Sequence, residues 1–210
     1  EEVRANVTRI ILAKWSERDP DAAMNFAVGQ EDELVSRSYA KAVINRLALT
    51  DPARGFDLAL QTNHTAIQSG SARWTLLQWM GTDPIAAGEA YAGMPAHLFE
   101  GEQMVRSAST IGGSTAREDL EKAIALADQI PHEPSRRQWI YGTAWEGVNQ
   151  DAGRAIALAE TLPSSKARQR LLKHLGRQWM KAEPNEAGMW IEESGYFEPA
   201  TLENLLNPES

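Results

Sequence analysis

The stretch QWMGTDPIAAGEAYAGMP, residues 78–95, decides the fold of this chain. It carries an Asp-Pro pair, Asp83-Pro84, four residues after Trp79, and an alanine-rich segment follows the pair. Asp accepts a hydrogen bond from a free backbone N–H at a helix start, and Pro fits the first helical turn because its missing N–H would be unpaired there. The stretch therefore predicts that one helix ends near Trp79 and that another begins at Asp83. This makes Asp83 a capping residue rather than a reactive carboxylate.

Equivalent pairs recur along the chain at intervals of 32, 32, 34, 32 and 34 residues. They are Asp19-Pro20, Asp51-Pro52, Asp83-Pro84, Arg117-Glu118, Asn149-Gln150 and Glu183-Pro184. A period of about 33 residues is long enough for two short helices and their turns. The sequence thus predicts a single domain, 1–210, of six helix-turn-helix repeats and a C-terminal cap. The repeats are expected at about 1–30, 31–63, 64–95, 96–131, 132–163 and 164–195, and the cap at 196–210.

Each repeat is expected to pair a longer first helix with a shorter, alanine-rich second helix. The first helices are predicted at about 3–16, 33–49, 66–80, 98–111, 134–147 and 165–181. The second helices are predicted at about 20–29, 52–62, 84–92, 117–129, 150–161 and 184–193, followed by a short helix at 198–206. The segment TIGGST, 110–115, is expected to interrupt the fourth repeat, since glycine disfavours a helix interior.

A tryptophan near the end of the first helix, the segment RAIALAETLP at 154–163, and a closing proline at Pro131 or Pro163 form a recognisable pattern. The pattern resembles the tetratricopeptide-like helical repeats, and it is similar to divergent Trp/Asp-Pro repeats of bacterial proteins. The resemblance implies an all-α, right-handed α-solenoid.

Composition narrows the classes of partner. With 21 basic and 29 acidic residues the chain has a net charge of -8, which opposes binding to nucleic acid or to anionic headgroups. No apolar run approaches the roughly 18 residues that span a bilayer, so no membrane insertion is expected. The chain has no cysteine, which excludes disulfides and thiolate sites and is compatible with either the cytoplasm or an oxidising cell envelope.

No motif predicts a metal, a cofactor or a catalytic group. The four histidines, His64, His97, His132 and His174, fall in different parts of the chain without a second ligand at a metal-binding spacing. TIGGST is not followed by the Gly-Lys-Ser/Thr of a phosphate-binding loop. We therefore expect neither a metal nor a cofactor.

The tryptophans divide into two groups by their place in the repeat. Those that lie four residues before a reference pair are expected to pack between repeats, because a solenoid buries the same position in every unit. They are Trp15, Trp79, Trp145 and Trp179. Trp74, Trp139 and Trp190 fall out of that phase and are candidates for recognition.

Positions 13, 10 and 6 residues before each reference pair share one face of the first helices, because steps of three and four keep side chains together. Basic and polar residues are frequent at these positions. The candidate partner-binding residues are Lys41, Arg73, Arg136, Trp139, Thr143, Arg170, Lys173 and Arg177, with Asn45 at the same phase. They predict a basic and polar stripe, and the alternative interpretation is an ordinary solvated face.

These patterns favour a non-enzymatic module that binds a protein or peptide, possibly an acidic one. Two other classes stay open: an α/α-toroid enzyme acting on carbohydrate, and a structural subunit of a larger assembly. The short repeats and the lack of paired carboxylates across a cleft argue against the toroid enzyme. The oligomeric state is not predicted.

Overall fold

The computed structural model describes residues 2–62 and 65–206, and the side chains of all of these except residues 65 and 66. Within these ranges the chain is all-α, as predicted, with thirteen α-helices and no strand. The predicted boundary between the second and third repeats, at 63 and 64, and the end of the predicted cap, 207–210, lie outside the described residues.

Long and short helices alternate along the chain. The longer ones are α1 (Glu2–Ser16), α3 (Glu33–Thr50), α5 (Thr65–Trp79), α7 (Glu102–Glu118), α9 (Glu133–Gly147) and α11 (Lys166–Ala182). The shorter ones are α2 (Pro20–Val28), α4 (Pro52–Gln61), α6 (Pro84–Ala92), α8 (Leu120–Ala127), α10 (Ala152–Glu160) and α12 (Pro184–Glu193). The last helix is α13 (Pro199–Leu206), and a short 3-10 helix, Ala96–Glu100, precedes α7.

The short helices begin at carboxylate caps, as the opening stretch predicts. The Oδ1 atoms of Asp19, Asp51 and Asp83 each accept a hydrogen bond from the backbone N–H three residues later, at 2.9, 3.1 and 2.9 Å. Glu183 makes no such side-chain cap and accepts instead from the indole Nε1 of Trp179 at 2.8 Å. The prediction that Asp83 is a capping residue is confirmed.

The predicted register of the fourth and fifth repeats is wrong by two residues. The caps are Asp119 and Asp151, each 2.9 Å from the N–H it accepts, and not residues 117 and 149. The caps therefore follow one another after 32, 32, 36, 32 and 32 residues. We number repeat positions from the cap, so that position -8 lies eight residues before it.

The predicted break at TIGGST is also wrong, because α7 continues through it to Glu118. The glycines allow a close contact instead: a Cβ added to Gly112 would lie 2.9 Å from the ring of Trp139, and one added to Gly142 would lie 1.9 Å from the carbonyl oxygen of Ser109. The helix-propensity cost of these glycines is offset by the close packing of α9 on the C-terminal half of α7.

The chain divides into two compact units, Glu1–Ser107 and Ala108–Ser210. The single domain expected from the sequence stays a prediction. In the first unit α1 packs on α3 and α3 on α5, while α2 and α4 each contact the long helix that follows them. In the second unit α9 contacts α8, α10 and α11, and α13 packs on α11 and α12. Each unit thus builds its core between long helices of successive repeats.

Positions -12 and -8 form the inner stripe of the long helices. At -12, Tyr39, Ser71, Ser107, Trp139 and Leu171 are all buried, and at -8 so are Val43, Thr75, Ile111, Thr143 and Leu175. The inner stripe explains why two residues predicted to bind a partner are buried instead. Trp139 and Thr143, predicted to face a partner, are fully buried because they occupy -12 and -8 when counted from Asp151. The indole Nε1 of Trp139 donates to the backbone oxygen of Ala123 at 2.9 Å, which satisfies the buried donor.

The expectation that the in-phase tryptophans form the core is wrong for two of them. Trp15 and Trp145 are 37% and 38% exposed, and Trp79 and Trp179 are half-buried. Trp15 belongs to the first repeat, which has no preceding helix pair in the described residues. Trp145 lies at position -6 of its repeat, on the outer face, and Gly147 occupies the position that the tryptophans fill in other repeats.

Candidate binding surface

Correcting the register places an aromatic pair on the outer face of α9. Tyr141 lies at position -10 and Trp145 at position -6, which are two of the stripe positions predicted for partner binding. Their rings are stacked with centroids 6.0 Å apart and planes 17° apart. The stripe is therefore aromatic in this repeat, and not the Arg136, Trp139 and Thr143 set that the shifted register predicts.

The stack continues onto α11 of the next repeat. The imidazole of His174 lies parallel to the Trp145 indole, with centroids 3.5 Å apart and planes 2° apart. Trp145 is exposed, while Tyr141 and His174 are half-buried. We call Tyr141, Trp145 and His174 the aromatic stack. No sequence pattern predicts this contact, because residues 145 and 174 are related only through the packing of α9 on α11.

The environment of His174 disfavours the charged form of its imidazole. Burial lowers the pKa of His174 below its ordinary value, and the positive charges of Lys181 and Arg177 act in the same direction, whereas Glu146 acts against them. A neutral ring lies flat on an indole without a charge to desolvate, which suits the stacked geometry.

Three of the predicted binding residues lie on α11, the helix that also carries His174; Arg177 lines a hollow with His174, while Arg170 and Lys173 line one with Tyr196 and Phe197. Arg170, Lys173 and Arg177 lie at positions -13, -10 and -6 of α11, and we call them the cation row. Arg170 and Arg177 are exposed and Lys173 is half-buried. Arg177 donates to the side-chain oxygen of Asn204 on α13 at 2.9 Å, while no ion pair joins any member of the row to a carboxylate among the described residues.

The aromatic stack lines two hollows in the second unit. One, of about 400 Å³, lies between α7 and α9, and its lining includes Gly113, Gly142, Tyr141 and Trp145. We call it the glycine groove. At its rim the Arg117 Nε donates to the Glu146 carboxylate at 3.0 Å. The other, of about 560 Å³, is lined by His174, Arg177, Lys181 and residues of α13. Tyr141 and Trp145 of the aromatic stack line the first hollow, and His174 lines the second together with Arg177 and Lys181.

The remaining predicted residues lie elsewhere. Lys41 and Arg73 occupy position -10 of α3 and α5 in the first unit, where α3 and α5 are in contact, so they share a repeat position as predicted. Arg136 lines a different hollow, between α8, α9 and α10, and donates to Glu133, whose pKa this hydrogen bond lowers. Arg136 therefore does not belong to the surface formed by the aromatic stack and the cation row.

The two other tryptophans predicted as candidates for recognition differ in their exposure. Trp74 is exposed on α5, whereas Trp190 packs against Trp179, Tyr196 and Phe197 and is half-buried. In the described ranges, no group of three or more histidine or acidic side chains is arranged to hold a metal ion, and His64 lies outside those ranges. Across the same ranges no helix combines the length and the apolar character needed to cross a bilayer.

Comparison of the chain with family models, with curated proteins and with solved structures found no match. The geometry of the surface is therefore the basis for assigning its function.

Proposed function

We propose that the chain is a non-enzymatic binding module, a right-handed α-solenoid of helix pairs of the tetratricopeptide-like kind, and that its second unit binds an acidic peptide or a protein C-terminus. The observation that carries the proposal is the aromatic stack, exposed at Trp145, whose His174 lies on the same helix as the cation row and shares a hollow with Arg177. An exposed indole locked between two other rings offers apolar contact area at little cost in side-chain entropy.

The ligand class follows from the two sides of the stack. On the side of α7, the glycine groove lies beside Tyr141 and Trp145 and offers room for an extended peptide to lie against their rings. On the side of α11, the cations of the row, which form no ion pair among the described residues, can bind carboxylates, and Arg can do so with two parallel hydrogen bonds. An acidic chain satisfies both sides, while the net charge of -8 opposes polymers with many phosphates.

The proposal is tested with a library of fluorescently labelled peptides that vary in acidic content and end in a free or amidated C-terminus. Fluorescence anisotropy should select acidic members, and their affinity should fall as salt is raised because part of the attraction is between exposed charges. Preference for neutral or basic peptides would refute the assignment.

Matched variants locate the site. Trp145→Ala should weaken binding by about tenfold or more, which corresponds to the loss of an interface anchor. Trp74→Ala is the control, because Trp74 is exposed to a similar degree on a helix of the first unit. The double variant Lys173→Glu, Arg177→Glu should also weaken binding, whereas Arg4→Glu, an exposed change in the first turn of α1, should not. Equal losses for test and control variants would place the binding surface elsewhere.

A further inference from the structure

Helix α11 is strongly basic on a chain that is acidic overall. It includes six lysines and arginines and no aspartate or glutamate, whereas the whole chain has 21 basic and 29 acidic residues. Lys166, Arg170 and Lys173 follow one another at steps of four and three, which keeps their side chains on one helix face. The second unit thus concentrates positive charge along one face of a single helix.

These three cations line a hollow of about 350 Å³ between α11 and residues 196–201. Tyr196 and Phe197 supply aromatic rings to its lining, and Glu198 is the one carboxylate among the described residues that line it. We call it the basic hollow. Ligand sites in proteins have volumes of about 300–1,000 Å³, so the basic hollow can take a whole side chain of a ligand.

In the part of the chain that the structure describes, no ion pair joins Lys166, Arg170 or Lys173 to a carboxylate. Other arginines of the same unit do pair with glutamates. They are Arg117, Arg136, Arg137 and Arg154. Lys173 is half-buried, and a charge that is partly removed from water is costly unless an opposite charge compensates it. An anion supplied by a ligand would compensate this cost.

The charge of the lining favours one kind of anion over another. Three cations, less the charge of Glu198, leave a formal charge of +2 on the basic hollow. A phosphomonoester carries roughly -1.5 to -2 at pH 7 on three acceptor oxygens, whereas a carboxylate carries a single charge on two. The amide of Gln169 and the hydroxyl of Thr201 add neutral donors to the lining. A phosphomonoester therefore satisfies more of this lining than a carboxylate does.

We propose that the basic hollow binds a phosphorylated side chain of the peptide that the second unit holds. This inference rests on the proposed peptide-binding function and adds a subsite to it. Arg170 can make paired hydrogen bonds to phosphate oxygens, while Lys166 and Lys173 supply compact charges. Clusters of basic residues recognise phosphorylated motifs in this way. Arg177, one turn beyond Lys173 on α11, lines the next hollow and gives the rest of the peptide a path towards the aromatic stack.

The test compares three fluorescently labelled peptide pools by anisotropy. All have degenerate flanks rich in aspartate and glutamate, and they differ only in the central residue, which is serine, glutamate or phosphoserine. The phosphoserine pool should bind at least about tenfold more tightly than the glutamate pool, because the phosphate adds charge-assisted hydrogen bonds.

The three pools separate failure of this inference from failure of the proposed function. Equal binding of the glutamate and phosphoserine pools would overturn the inference and leave the function standing. Binding of the phosphoserine pool alone would support the basic hollow and refute the acidic-peptide function. Binding of no pool would refute both.

Matched variants locate the subsite. Lys166→Gln should reduce the preference for phosphoserine over glutamate by about threefold and barely change binding of the glutamate pool, because Lys166 lines the basic hollow but lies outside the cation row. The double variant Arg170→Gln, Lys173→Gln should abolish the preference. Arg137→Gln is the control, because Arg137 is an exposed arginine on α9 that lines a different hollow. An undiminished preference in both test variants, or an equal loss in the control, would overturn the inference.

Phosphorus NMR identifies the source of the phosphate. The resonance of the phosphoserine pool should shift on addition of the unaltered chain and stay in place with the double variant. Inorganic phosphate or free phosphoserine that binds as tightly as the pool would show a site for a small molecule. A short RNA oligomer that displaces the pool more effectively than unlabelled phosphopeptide would show a nucleic-acid surface. Either result would overturn the inference.

Discussion

Replacing Gly142 by alanine tests whether the close contact between α7 and α9 organises the second unit. The new Cβ would lie 1.9 Å from the Ser109 carbonyl oxygen, and ordinary contact begins at 3.4 Å, so the helices must separate locally by 3.4 minus 1.9, or 1.5 Å. A gap of 0.5–1 Å already removes a quarter to a half of the dispersion attraction between facing atoms. The obstructing atoms are the backbone O, C and Cα of Ser109, which cannot rotate away as a side chain can.

The net effect is the difference between two opposing contributions. Overpacking costs about 1–3 kcal/mol, and a contact with rigid backbone belongs at the upper end of that range. Alanine in place of glycine stabilises a helix interior by about 1 kcal/mol. Gly142→Ala should therefore lower the free energy of unfolding by about 2 kcal/mol, which for a chain of this size lowers Tm by about 4–8 °C.

Gly70→Ala is the matched control, because Gly70 is exposed on α5 and its added Cβ would meet no heavy atom within 4 Å. That variant should gain about 1 kcal/mol, so the two substitutions should differ in sign. Urea unfolding of both variants, followed by far-UV circular dichroism and tryptophan fluorescence, measures the difference. A Gly142→Ala protein that is as stable as the unaltered chain would show that α7 and α9 do not pack as closely as described.

Three further predictions concern the cap, the core and the histidine. Asp151→Ala should lower the free energy of unfolding, measured in urea, by about 0.5–2 kcal/mol, while Asn149→Ala should leave it nearly unchanged. The reverse order would show that the cap is residue 149, as the sequence predicted, and not Asp151. Trp139→Ala should cost about 3–5 kcal/mol by opening a cavity, and Trp145→Ala distinctly less because Trp145 is partly exposed; equal costs would contradict the burial described for them. The pKa of His174 is lowered in the folded state, so the stability that it contributes is complete above its unfolded pKa of about 6.5 and declines as the pH falls from there through the lower folded pKa. A plot of Tm against pH should show this decline, His174→Gln should flatten it, and an unchanged profile in that variant would refute the assignment.

The sequence was sufficient for the helix pairs because their signals are local. Asp19, Asp51 and Asp83 cap helices through bonds that span three residues, and no distant contact is needed to place them. The bounds predicted for most helices lie within about two residues of those observed, the usual uncertainty of a helix end. The exceptions are α8, which begins three residues later than predicted, and α7, whose glycines are favourable only because another helix lies against them, which local propensity cannot show.

The candidate surface was harder to predict because it depends on register. Successive helical residues are turned by roughly 100°, so an error of two residues turns a side chain by roughly 200°, almost to the opposite face. Because of that error Trp139 was predicted to lie on the surface and Trp145 in the core, whereas Trp139 is buried and Trp145 is exposed. The repeat positions predicted for the cation row are unchanged, because α11 is counted from Glu183, where the predicted and observed registers agree. The stacking of Trp145 on His174 needs the packing of two helices and lay beyond any sequence pattern.

The caps have a consequence for how such a chain can change its length. Each Asp cap bonds within its own helix pair and leaves its neighbours untouched, so a pair carries its own start signal wherever it is placed. Deleting residues 20–51 would join Asp19 directly to Pro52, so that the junction is again Asp-Pro and every later residue keeps its repeat position. In-frame loss or duplication of 32 residues at this point is therefore a change the local chemistry tolerates, and recombination between repeats offers this fold a simple route to longer and shorter relatives.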